Sequence, residues 1–377
     1  MKDVSQTIAY FVSSHGFGHA TRSVAIINEI HSRNKKFKFI IVSNLPDLFW
    51  TNNLPASVDF KNYQIRTDIG LVQTDSFHFD LDETVSLLEK YLEDPTNGLK
   101  NLFDILLKNE ICHVICDISP MGIQIAKLLQ VKCTLVENFT WDWIYEPLIK
   151  KNKKLYTLSQ RLKSIYDSVD LRIQVKPFCE FHPDGVQIEP IHRPFKKPPR
   201  VIKAQLGLDE GQEFVLVSTG GIAYQYKCLN TLKNSEQNFV ICGHFPKIET
   251  NRNLVFLPMN SSFHFPDLVR ASDQVVGKVG YGTMIECWAA NKKLHGIFRD
   301  DFRESEVLKE FIIAEGFGSE ITLDQFNSGD WINDLDQKEL LVTKSKTNGN
   351  RIAAREIMEQ ISLGFGMPFN NEEPKFE

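Results

Sequence analysis

The stretch Thr7-Ile-Ala-Tyr-Phe-Val12, followed at once by Ser13-Ser-His-Gly-Phe-Gly-His-Ala-Thr-Arg22, decides the fold. The apolar run reads as a buried strand, Gly16 and Gly18 as a tight turn, and Ala20–Ser32 as an amphipathic helix. A strand that feeds a helix through a glycine turn opens a β-α-β unit, and the pattern recurs. Further strands are expected at Phe37–Val42, His113–Cys116 and Cys133–Val136. Helices are expected at Glu83–Asn109, interrupted by Pro95 and Gly98, and at Gly122–Leu129. A second alternation runs through Glu213–Val217, Phe239–Cys242, Leu254–Phe256, Gln274–Val276 and Lys293–Ile297. Strands alternating with helices imply parallel sheets, so the chain reads as two similar α/β domains.

Length agrees with that division: 377 residues exceed what one hydrophobic core organises, roughly 250–300. Hydrophobic residues at 42% and charged residues at 24% exclude a disordered or fibrous protein. The segment Glu189-Pro-Ile-His-Arg-Pro-Phe-Lys-Lys-Pro-Pro-Arg200 holds four prolines, which remove amide donors and favour extended backbone, so the linker is placed there. The expected division is 1–190, 191–350, and a C-terminal helix with a polar tail at 351–377. The net charge of -5 offers no global field for nucleic acid. Met1–Ser14 lacks the features of a signal peptide, and no apolar run approaches the roughly 18 residues that span a bilayer. Seven cysteines with no C-x-x-C pair fit a reducing compartment, so the expected location is cytoplasmic.

Chemistry concentrates after strand ends. In the first loop, Gly16, Phe17 and Gly18 precede a helix N-terminus that can face an anion. Its histidines, His15 and His19, sit where ligands of open α/β sheets bind, and either could act as a general base. Thr21 stands where a dinucleotide fingerprint needs a third glycine, which weakens that reading. The H-x-x-x-H spacing lacks a third metal ligand, so no metal is expected. Two histidines that merely hold the loop are the plain alternative.

The second loop, Gly277-Lys-Val-Gly-Tyr-Gly-Thr-Met-Ile-Glu286, repeats the strand-turn-helix arrangement. Gly280, Tyr281 and Gly282 would bring backbone close to a ligand, Thr283 would cap a helix Thr283–Ala290 and face a pyrophosphate, and Glu286 would take a ribose. Lys278 precedes the turn, so this is not a Walker loop. Ser218-Thr-Gly-Gly-Ile222 places Gly220 and Gly221 after a strand. Phe298-Arg-Asp-Asp-Phe-Arg-Glu304 reads as a solvated helix start capped by Asp300 and Asp301. Asn138-Phe-Thr-Trp-Asp-Trp-Ile-Tyr145 sets Trp141 beside Asp142, either as a sugar-binding surface or as an aromatic core. Two D-x-D tripeptides, Asp80-Leu-Asp82 and Asp334-Leu-Asp336, occupy no strand-end loop and are discounted. The basic run Lys150, Lys151, Lys153, Lys154, Arg161 and Lys163 reads as a solvated helix face, with contact to an anionic membrane as the sharper alternative.

The glycine loop of one domain and the G-x-G-T…E pattern of the other look like a GT-B glycosyltransferase with two Rossmann-like domains. The first loop resembles the histidine-ending loop of the peptidoglycan GlcNAc transferase, with His19 at the final histidine. The runs His15–Arg22, Gly70-Leu-Val-Gln-Thr-Asp75, Asn138–Tyr145 and Gly277–Thr283 are similar to the glycosyltransferase-like region of plant L-arabinokinases and to stand-alone bacterial relatives. The resemblance spans about residues 7–360. It implies a nucleotide-sugar donor, expected to be a UDP-sugar, held by the second domain through Gly220, Gly221, Lys278, Gly280–Thr283 and Glu286. Arg299, Asp300 and Asp301 would lie near the donor sugar. Gly16, Phe17, Gly18, Arg22, Asp75, Trp141 and Asp142 would line the acceptor side, and no separate cofactor is implied. The chain carries no kinase phosphate loop, so arabinose phosphorylation is not expected. A non-catalytic sugar-nucleotide sensor and a sugar-nucleotide 2-epimerase share the architecture and stand as alternatives.

Overall fold

The computed structural model describes residues 6–75, 77–94, 99–221, 223–335 and 347–364. The first nine strands are β1 Thr7–Val12, β2 Lys38–Val42, β3 Asp59–Tyr63, β4 Val72–Gln73, β5 Phe79–Asp80, β6 Ile111–Asp117, β7 Cys133–Glu137, β8 Leu171–Val175 and β9 Val186–Ile188. Seven of them form one parallel sheet in the order β3-β2-β1-β6-β7-β8-β9, and β4 pairs with β5 as a small antiparallel ribbon. The second domain contributes β10 Phe214–Ser218, β11 Asn238–Gly243, β12 Glu249–Asn251, β13 Leu254–Pro258, β14 Gln274–Lys278, β15 Lys293–Ile297 and β16 Gly318–Glu320. Its order is β12-β13-β11-β10-β14-β15-β16, parallel except for β12. Two Rossmann-like α/β domains follow, as the alternation required.

Every residue of β1 and β10 is buried, because helices cover both faces of each sheet. That two-sided burial makes central strands read as continuous apolar runs. Edge strands do not: Asp59-Phe-Lys-Asn-Tyr63 is polar and partly exposed, and β9, β12 and β16 are three residues each. The interrupted helix at 83–109 resolves into Leu81–Glu93 and Lys100–Lys108, with Pro95 and Gly98 outside the described residues. Asp80 caps the first of these by accepting from the Glu83 amide. Asp336, Ile222 and the tail Asn370–Glu377 also lie outside the described residues.

In both sheets the strand order reverses beside the first strand, between β1 and β6 and between β10 and β14. Loops there diverge to opposite faces at the carboxyl ends of the strands, the place where ligands of open α/β sheets bind. The linker is extended but not free. Arg193 is buried, the Lys196 amide donates to Asp267 Oδ1 at 2.7 Å, and the Pro194 carbonyl contacts His264 Nε2 at 3.0 Å. The chain later returns alongside it: the Gly349 amide donates to the Pro190 carbonyl at 3.0 Å, and Asn348 Nδ2 to the His192 carbonyl at 3.0 Å. The helix Asn350–Gly364 then packs Ala353, Ala354, Ile357 and Ile361 into the core shared with the helix Phe17–Arg33. No described helix is long and apolar enough to cross a membrane.

Candidate functional site

The helix Phe17–Arg33 starts directly after β1, with Gly16 at its N-cap in a left-handed conformation (φ 90°) and no acidic residue in its first turn. One turn in, His19 meets the carboxylate of Asp117, the last residue of β6, which lies level with Val12 across the sheet reversal. His19 Nδ1 is 2.9 Å from Asp117 Oδ1. A carboxylate only accepts, so Nδ1–H is the donor of this bond. Arg22 grips the same carboxylate with Nε–H to Oδ2 at 2.8 Å and Nη2–H to Oδ1 at 2.6 Å. Burial alone would raise Asp117, yet the Arg22 charge and hydrogen bonds hold it below the usual carboxylate range. His15 is different. Its ring stands edge-on to Trp141 and stacks on Phe302, and its Nε2 is buried without a hydrogen-bond partner. Burial, reinforced by Arg299, His19 and Lys278, keeps it well below the normal imidazole value and therefore neutral.

In the second domain the helix after β14 runs Tyr281–Ala290, starting two residues earlier than the glycine spacing implied. Gly280 is its N-cap, and the Thr283 hydroxyl caps nothing; Thr283 lies in the first turn, among the amides that precede the first intrahelical bond. Lys278 is half-buried and makes no hydrogen bond or ion pair among the described residues. Burial, then Arg299, push it down to about 7. Arg299 lies 3.7 Å over the Phe302 ring, its Nε is buried and unpartnered, and burial lowers it to about 10. Two desolvated cations without a hydrogen-bonded acidic partner among the described residues thus stand beside an uncapped helix N-terminus. An anion is what such a place lacks.

The two reversals face each other. A side-chain carbon at Gly18 would lie a tight 3.3 Å from the Gly282 amide nitrogen, and one at Gly221 would overlap the Phe17 ring, so glycine lets the two loops approach closely. Phe17 stacks on Phe49 and covers Gly221, and Arg22 sits 5.2 Å over the Tyr281 ring. Gly220 has open space around it. Glu286 is 2% exposed, and its Oε1 accepts from Arg193 Nε at 2.8 Å while Arg193 Nη1 donates to Asn53 at 2.6 Å. The carboxylate offered to a ribose is engaged by the linker in this conformation.

Several expected positions have other surroundings. Trp141 is 1% exposed and donates its Nε1–H to Asp68, so it supports His15 from the core and presents no open face. Asp142 is half-buried, with Oδ1 unpartnered and burial raising its pKa. Asp75 is exposed, paired with His78 at 2.8 Å, and close enough to Lys278 to favour its charge. The segment 298–304 is not a solvated helix start: Phe302 packs into the first-domain core, Arg303 lies over Trp143, and neither Asp300 nor Asp301 caps the helix Glu304–Ala314. Asp300 is exposed and Asp301 pairs with Lys151. In the basic run, Lys151, Lys154 and Arg161 are committed to Asp301, Glu89 and the Leu92 carbonyl. Asp117, Asn138, Arg193 and Glu304 were not singled out from the sequence. Asp117 carried a usable signal, a carboxylate ending an apolar strand; the other three carried none.

No family model matches the chain. It is 25% identical over 365 residues to the L-arabinokinase of Arabidopsis thaliana, covering 94% of this chain and 34% of that protein. The chain therefore spans about a third of the length of this relative. Solved structures of similar fold include the glycotransferase of kitacinnamycin, with TM-score 0.61 and 14% identity over 94% of this chain and 98% of that one. A UDP-glucosyltransferase from Polygonum tinctorium aligns with TM-score 0.59 and 13% identity, covering 96% and 94%. The calicheamicin glycosyltransferase aligns with TM-score 0.58 and 17% identity, covering 96% and 95%. Two parallel-sheet domains whose strand reversals face each other, matched end to end by these structures, give the chain the GT-B glycosyltransferase fold.

Proposed function

We propose that the chain is a glycosyltransferase that moves a sugar from a nucleotide diphosphate, a UDP-sugar in the first instance, to an acceptor hydroxyl. The observation that carries this reading is the pairing of His19 with Asp117 in one domain opposite the unpartnered Lys278 and Arg299 of the other. His19 Nε2 takes the proton of the acceptor hydroxyl while its oxygen forms a bond to the anomeric carbon. The bond from that carbon to the diphosphate breaks, its electron pair leaves with the nucleotide, and the configuration inverts. Lys278, Arg299 and the first-turn amides of Tyr281–Thr283 receive the charge that develops on the leaving diphosphate. Asp117 stabilises the imidazolium and stays ionised under the grip of Arg22. The role of base goes to His19 over His15, because burial, reinforced by neighbouring cations, makes His15 a weak base and it has no carboxylate to orient it.

The neighbours of known structure include a UDP-glucosyltransferase, which supports a nucleotide-sugar donor here. The test is incubation with a panel of nucleotide sugars, following release of the free nucleotide with and without sugar and phenol acceptors. Turnover is expected with at least one donor, and His19→Ala should lower it by roughly 100- to 10,000-fold, the usual contribution of a positioned base. Binding without any turnover would indicate a sensor module. Conversion of the donor sugar without acceptor or nucleotide release would indicate an epimerase.

A further inference from the structure

The hydrogen-bond chain that starts at His19 does not end within its own domain. Beyond Asp117 and Arg22, the Arg22 Nη1–H donates to Asn138 Oδ1 at 2.9 Å, and Asn138 Nδ2–H donates to Glu304 Oε1 at 2.6 Å. The first four groups belong to the first domain; Glu304 opens the helix Glu304–Ala314 of the second. All five are buried, at 7%, 0%, 1%, 1% and 6% exposure in that order from His19. Arginine only donates and a carboxylate accepts, so the asparagine amide between them has one workable orientation. Glu304 fixes that amide, the amide fixes one arm of the guanidinium, and the other arms hold Asp117 against His19.

We propose that Glu304 is a positioning residue for His19, acting through Asn138, Arg22 and Asp117, so that the base is oriented only when the two domains are closed on each other. This rests on the reading of His19 as the base. The arrangement is a poor one for stability alone. Glu304 has no directly bonded cation; burial raises its pKa, and the Asn138 hydrogen bond and the charges of His19, Arg299 and Arg22 only partly oppose that. A buried carboxylate bonded to a neutral amide costs more than an apolar side chain of similar size in the same place.

Glu304→Gln keeps an acceptor oxygen at the same reach, whereas Glu304→Ala removes it. The readouts are kcat and donor KM for nucleotide release, together with the 15N imidazole shifts of His19, which report its tautomer in the free protein. Glu304→Gln is expected to keep the Nδ1–H tautomer and turnover within about threefold, and Glu304→Ala to lower kcat roughly 10- to 100-fold at unchanged donor KM, as for a slightly misplaced group. In the alanine variant the His19 shifts should move toward a mixture of tautomers. If that variant does not fold, Glu304→Asp, shorter by one methylene, carries the same expectation. An unchanged kcat and tautomer in Glu304→Ala overturns the proposal, as does a glutamine variant no better than alanine. If wild-type protein turns over no nucleotide sugar, the transferase reading fails, and the tautomer measurement alone decides the role of Glu304.

Discussion

The two strand reversals that face each other share a design, a strand, a glycine turn and a helix N-terminus, but not an electrostatic state. At the first, every charge is answered. Asp117 is held by Arg22 and His19, Arg22 by Asp117 and Asn138, all within 2.6–2.9 Å. At the second, the Lys278 and Arg299 side chains are desolvated with no hydrogen-bonded acidic partner among the described residues, Asp75 and Glu304 acting on them only at longer range, and burial depresses both. Protein groups already satisfied are pre-oriented for chemistry, and cations left unsatisfied are waiting for charge from outside. On the proposed function, this contrast puts the reacting machinery on one side and the substrate diphosphate on the other.

Substitutions that remove positive charge should therefore act in opposite senses on the two walls. The largest effect is expected for Arg22→Met, which strands a buried carboxylate; breaking such a pair costs about 3–5 kcal/mol, measured as the change in urea unfolding free energy. If Arg22→Met unfolds like wild type, the first wall is not the preorganised one. On the other wall, Lys278→Met and Arg299→Leu should each weaken UDP binding by roughly 10- to 100-fold, the worth of a charge-assisted hydrogen bond. Their melting temperatures should stay level or rise, because an unpaired desolvated cation has been removed. A fall in melting temperature with UDP affinity intact would reverse the assignment.

The smallest effect is in pH. Burial, then Arg299, push Lys278 down to about 7, and a bound diphosphate favours its charged form, so binding takes up a proton above that pH. UDP affinity should be level below pH 7 and fall as pH rises beyond it, by at most about tenfold per unit. Isothermal titration in buffers of different ionisation enthalpy measures the uptake. A flat profile between pH 6 and 9, or a slope that survives Lys278→Met, would remove Lys278 from the diphosphate site.

How much of this was legible in the chain depends on sequence distance. β1, its turn and its helix lie within 27 consecutive residues, Thr7 to Arg33, so pattern alone locates them and His19. The central strands were readable because burial on both faces makes them uniformly apolar; β3, with Asp59, Lys61 and Asn62, carries no such signature. The partners of the site are another matter. Arg22 and Asp117 are 95 residues apart, Arg193 and Glu286 are 93 apart, and Asn138 and Glu304 are 166 apart. Nothing local to Asn138 or Glu304 announces the other, since only the closing of one domain on the other brings them together. The segment 298–304 misled for the same reason: its charges imply solvent, but Phe302 is taken up by the core of the opposite domain.

The side-by-side passage of residues 189–192 and 347–349 between the domains carries a mechanical consequence. A single tether would let one domain swivel about all three axes. Two adjacent passages, bonded from Gly349 to Pro190 and from Asn348 to His192, restrict the movement of one domain against the other more than a single passage would. The paired passages thus help to hold the register in which Gly18 meets Gly282 and Asn138 meets Glu304.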